Sequence, residues 1–140
     1  MAVKPTKLSK MALVVHSEVG ALSGYQGALS ETGYVTIVAR DLPTALLAIT
    51  QHYFDVAIIS SRLREVGDGW PLAGVLHLVF PRAFVAVITP EEPDVLTFQS
   101  AINYGVTQIY QQSSSAKEVV GAIMAEGGQP PATGSIATVQ

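Results

Sequence analysis

Five short runs rich in apolar and β-branched residues alternate with five segments of helical periodicity, and this alternation constrains the fold more than any single motif. The runs lie at residues 12–15, 34–39, 56–59, 84–88 and 108–110. Those at 12–15, 56–59 and 84–88 lack polar alternation, as strands buried on both faces do. Strands and helices that alternate in this way build a parallel sheet, because right-handed crossovers place helices on both of its faces. The expected fold is therefore α/β, a doubly wound five-stranded parallel sheet of order 2-1-3-4-5, with the three unalternated strands at its centre.

The helices carry their own punctuation. Ser17 is expected to cap the first, with Glu18 in its first turn and Leu22, Tyr25 and Leu29 on its apolar side. Asp41-Leu42-Pro43 opens the second, whose apolar members are Ala45, Leu46, Ala48 and Ile49. Trp70 opens the third, expected to bury Leu72, Val75, Leu76 and Val79 before Pro81 stops it. The fourth follows Asp94 and ends at Gly105. Ser115 and Glu118 form a capping box for the fifth, which buries Val119, Val120, Ile123 and Met124. Flanking these units, residues 1–9 read as a flexible N-terminal arm and 127–140 as a flexible tail of Gly, Pro, Ala, Thr and Ser, leaving one domain over 10–126.

Composition narrows the function classes. A net charge of −3 leaves only Lys4, Lys7 and Lys10 as a basic cluster, so neither nucleic acid nor an anionic membrane is an expected partner. No cysteine is present, which excludes disulfides and thiolate metal sites. The apolar run after Met11 is cut off by His16-Ser17-Glu18, too early for a signal peptide, and a cytoplasmic protein is expected. His16, His52 and His77 lack metal-ligand spacing, and no glycine-rich phosphate loop follows any strand, so no metal or cofactor is expected.

In an open α/β sheet, ligands and chemistry sit beyond the carboxyl ends of the strands. Here that rim holds His16 and Ser17, Ser60 and Ser61, Thr89, and Gln112. In strand spacing and apolar pattern the chain resembles the receiver domains of bacterial response regulators. Leu-Val-Val-His16-Ser17 stands where that family has two acids, and Asp55-Val-Ala-Ile-Ile-Ser60 looks like its third strand, with Ser60 in the place of the phosphorylated aspartate. Thr89 matches the family's hydroxyl after strand four. Counting from Gly105, Gln112-Ser113 falls where the family has Lys-Pro. The loop after Ser60 is one residue longer than the family's, which leaves Ser61 as an alternative acceptor.

The resemblance implies a signalling domain, and the departures imply a degenerate pocket. Receiver chemistry needs a carboxylate nucleophile, acids for a hard cation, and a lysine; all of these positions are replaced here, and of the family's rim residues only the hydroxyl at Thr89 remains. The expected protein is a stand-alone pseudo-receiver that binds another signalling protein without aspartyl phosphorylation. Two other readings stay open: a Ser-His hydrolase using His16 and Ser60, and a receiver switched by phosphorylation of Ser60 or Ser61. Arg62 and Arg64 read either as an anion grip or as the solvated side of a loop, and Trp70 as core or as a partner anchor. The family further implies self-association through residues 94–126, where Tyr104 and Tyr110 would add aromatic area.

Overall fold

The structure, a computed structural model, describes residues 10–127. The expected arm over 1–9 and the tail over 128–140 lie outside the described residues. Strands β1 (Lys10–Val15), β2 (Tyr34–Ala39), β3 (Val56–Ser60), β4 (Phe84–Thr89) and β5 (Gln108–Gln111) alternate with helices α1 (Val19–Glu31), α2 (Leu42–Gln51), α3 (Trp70–Val79), α4 (Val95–Tyr104) and α5 (Ala116–Gly127). Gly127, read from the sequence as the start of the tail, instead closes α5.

All strand pairings are parallel and the order is β2-β1-β3-β4-β5. The unalternated strands β1, β3 and β4 occupy the centre, as expected. Side-chain alternation divides the core in two. Leu13, Val15, Ala57, Ile59, Val85 and Val87 face one way and meet Ala45, Ala48 and Ile49 of α2, Leu72, Ala73 and Leu76 of α3, and Ala101 of α4. Ala12, Val14, Val56, Ile58, Ala86 and Ile88 face the other way and meet Leu22, Tyr25 and Leu29 of α1 and Val119, Val120 and Ile123 of α5. Trp70 belongs to the first cluster, so it is core.

At the base of the sheet Asp55 stitches three strands together. Its carboxylate accepts from the Met11 N–H at 2.9 Å, its own N–H donates to the Met11 carbonyl, and its carbonyl accepts from Phe84. Asp55 is therefore spent on structure at the end opposite the rim.

Several local readings hold. Asp41 accepts from the Thr44 N–H and Asp94 from the Thr97 N–H, each at 2.9 Å. Ser115 and Glu118 exchange both bonds of the capping box, at 3.0 and 3.1 Å. Gly105 ends α4 in the left-handed region at φ 72°.

Two helix readings are corrected. The cap position of α1 is Glu18 rather than Ser17, its side chain makes no capping bond, and no acid lies in the first turn. The reason is His16, whose Nδ1 takes the Glu18 N–H at 3.1 Å and carries the chain one residue further before the helix begins. Leu46 and Val79, expected in the core, are exposed to nearly half their extent. In α2 and α3 apolar residues fall on the outer as well as the inner side, so periodicity alone could not say which of them face the sheet.

Candidate functional site at the carboxyl rim

The rim is built where β1, β3, β4 and β5 end. One step past the Val15↔Ile59 pair, His16 and Ser60 lie on neighbouring strands, and alternation puts both on the side of Val14 and Ile58. Both are buried, as are Ser61 and Thr89. Ser17 is half-buried and Gln112 exposed, so the rim has a polar interior and a polar mouth.

His16 is 3% exposed. Its N–H donates to the Ala39 carbonyl at 3.0 Å, and its Nδ1 accepts from Glu18, which puts the proton of the neutral ring on Nε2. Nε2 is buried without a hydrogen-bond partner. The imidazole is thus not bonded to the Ser60 hydroxyl, and the arrangement that a Ser-His mechanism needs is missing.

Burial pushes the His16 pKa below its usual 6.5, with the Glu18 carboxylate opposing the shift. The unfolded chain therefore takes up this proton more readily than the folded one, and stability must fall as pH drops below about 6.5 until the lowered folded pKa is passed. The expected result is a urea midpoint that declines from pH 7.5 to pH 5 with unchanged m-value, and a shallower decline in His16→Gln. Parallel declines in the two proteins would contradict it.

Ser60 is satisfied within its own loop. Its Oγ donates to the Arg62 carbonyl at 2.7 Å and accepts from the Arg62 N–H at 3.2 Å. The Ser61 N–H donates to the Ile88 carbonyl, and its carbonyl accepts from Gly69, both at 2.9 Å. These bonds fold the loop back on β3 and present the side chains of Arg62 and Arg64 to solvent.

The residue that shapes this loop is Asp68, whose path the sequence left undefined. Its carboxylate accepts from the N–H groups of Leu63 at 2.6 Å, Arg64 at 2.9 Å and Glu65 at 3.1 Å. Burial pushes this carboxyl up, but these amides together with its own backbone N–H outweigh it and hold its pKa below the ordinary range. The available signal was an acid placed just before a helix-opening glycine, at the end of a polar loop.

Thr89 is likewise closed locally, its Oγ1 donating to the Glu91 carbonyl at 2.8 Å. The Gln112 N–H donates to the Thr89 carbonyl at 2.7 Å, tying the end of β5 to that of β4. Arg40 was not singled out from the sequence; it grips the Ser17 carbonyl through Nε at 3.2 Å and Nη2 at 3.0 Å. Among the described residues no group of three or more His, Cys, Asp or Glu side chains is placed to hold a metal ion.

Tyr104 and Tyr110 are more engaged than the sequence suggested. A Cβ on Gly74 of α3 would stand 2.8 Å from the Tyr104 ring, so that ring lies against α3. Tyr110 packs with the α1–α5 core while Ile109 joins the other cluster, as alternation requires. The Tyr110 hydroxyl is buried without a partner, and burial together with the nearby Glu126 carboxylate raises its pKa.

No protein-family model matches the sequence, and no curated protein matches it. Solved structures do. A response regulator receiver domain protein (CheY-like) from Methanospirillum hungatei superposes with a TM-score of 0.76 at 18% identity, over 86% of this chain and 94% of that one. The signal receiver domain of an HD domain-containing protein from Pseudomonas fluorescens gives 0.73 at 25% identity, over 84% and 93%. The beryllofluoride-activated NtrC4 receiver domain dimer gives 0.71 at 26% identity, over 82% and 93%. The chain thus has the CheY-like, flavodoxin-like fold of the response regulator receiver domains.

Proposed function

We propose that this protein is a pseudo-receiver: a signalling domain that works by binding another signalling protein, without taking phosphate on an aspartate. One observation carries the reading. The position matching the family's acceptor is Ser60, a buried hydroxyl that donates to the Arg62 carbonyl and accepts from the Arg62 N–H. The matching metal-ligand positions are His16 and Ser17, and the lysine position is Gln112. A hydroxyl without a nearby base is a poor nucleophile. An exposed amide brings no charge to a phosphoryl group, where an ionised donor is roughly twice as strong.

The same observations weigh against the other two readings. A hydrolase would need His16 on Ser60, and Nε2 of His16 has no partner. A kinase acting on Ser60 or Ser61 would need an exposed hydroxyl, and both are buried. Action in the cytoplasm belongs to this proposal; no helix among the described residues is long and apolar enough to cross a membrane. For self-association the resemblance alone offers the 94–126 face.

The test is incubation with acetyl phosphate and Mg²⁺, read by intact mass. The expected result is no phosphoryl adduct on the wild type and none on Ser60→Asp, because the metal-binding acids and the lysine are still missing. An adduct on the wild type would overturn the reading.

A further inference from the structure

The three helices on one side of the sheet, α2, α3 and α4, are each ten residues long and contain no Asp, Glu, Lys or Arg. On the opposite side α1 carries Glu31, and α5 carries Lys117, Glu118 and Glu126. Surface helices ordinarily put charge on the face turned away from the core. Here the exposed positions hold Leu46 and Leu47 on α2, Leu78 and Val79 on α3, and Val95, Leu96 and Ile102 on α4, beside the polar but not acidic or strongly basic Thr44, Thr50, His77, Gln99 and Asn103. Exposure reaches 79% at Leu78, 74% at Val95, 71% at Leu96 and 68% at Ile102.

The helices are firmly joined where α3 meets α4. The Tyr104 ring lies on Gly74, and a Cβ on Gly105 would collide with the His77 ring. α4 itself fully buries only Ala101, so most of its apolar surface is turned away from the sheet. Charges gather at the ends of this side, with Arg40 and Asp41 before α2, Arg82 after α3, and Glu91, Glu92 and Asp94 before α4. An apolar centre with charges at its margin is the anatomy of a protein interface.

We infer that the α2–α3–α4 side is a homodimer seam, occupied by the same side of a second copy of this chain. In a two-fold interface each group near the axis meets its own copy, so any charge there faces a like charge. A side whose three helices hold no Asp, Glu, Lys or Arg keeps that penalty away from its centre. Covering the exposed parts of the seven named side chains removes on the order of 700 Å² from water per subunit, close to the ~800 Å² each partner gives to a standard interface. The seam shares α4 with the 94–126 face, but it is centred on α3 and does not use α5.

Sedimentation equilibrium of the full chain across the micromolar to millimolar range tests this. The wild type is expected to dimerise, and Leu78→Glu on α3 and Leu47→Glu on α2 are each expected to weaken the dimer at least tenfold, while Lys117→Glu on α5 leaves it unchanged. Both leucines are exposed, so circular dichroism is expected to match the wild type in each variant. Three results would overturn the inference: a monomer throughout, a dimer weakened by Lys117→Glu but not by Leu78→Glu, or a monomer that binds neutral lipid vesicles through this side.

Discussion

Replacing Gly69 with alanine is expected to lower the unfolding free energy by about 3 kcal/mol, the upper end of what a forced overpacking costs. A Cβ at this position would run into the Ser60 carbonyl, with the Ser60 carbonyl carbon and Ser61 Cα close behind. All three are backbone atoms at the end of a central strand, and the Gly69 N–H is itself bonded to the Ser61 carbonyl. No side chain is present to swing aside. Against a typical total of 5–15 kcal/mol the loss is large. Gly27→Ala is the natural control, since nothing lies within 4 Å of a Cβ there and the residue sits inside α1. That change is expected to stabilise by roughly 0.5–1 kcal/mol. Urea midpoints at constant m-value check both signs; equal effects from the two substitutions would remove the argument for close approach at Gly69.

At the opposite end of β3, Phe54→Ala is expected to cost about 3–5 kcal/mol, the range for emptying a buried aromatic site. Phe54 is fully buried and meets Phe80 edge-on, with ring centroids 5.9 Å apart. It also meets His52 at 6.0 Å, and Phe80 in turn meets Tyr53 at 5.1 Å. The cluster fills the space at the base of β3 between the end of α2 and the end of α3. Phe54→Leu keeps most of the volume and is expected to recover most of the loss. Thermal unfolding in which Phe54→Ala and wild type coincide would mean that the cluster is dispensable.

The strands were legible because a doubly buried parallel strand leaves an apolar run that little else imitates; residues 84–88 are an example. Their order followed from topology rules more than from residues. The cap at Ser115 and Glu118 was legible because both partners lie in one turn. What escaped depends on partners that sequence spacing does not encode. Arg40 reaches Ser17 across 23 residues, and the Nδ1 bond of His16 moved the start of α1 by one position. Leu46 and Val79 were misplaced because their helices lack the Asp, Glu, Lys and Arg residues that most clearly mark an outer face. The positions of the rim residues were legible by resemblance, but the closure of Ser60 on Arg62 was not, since it depends on the path of the loop.

Four polar side chains at the rim share a property with consequences for remodelling the protein. Ser60 closes on Arg62 two residues away, Thr89 on Glu91 two away, His16 on Glu18 two away, and Asp68 on residues three to five away. Closing such short spans costs little chain entropy. Much of each loop's shape therefore travels with its own residues, while bonds to neighbouring strands fix where the loop sits. Recovering an acidic, metal-holding rim would mean exchanging whole loops after β1, β3 and β5 together, because any single new side chain would enter a loop already fastened into a different form.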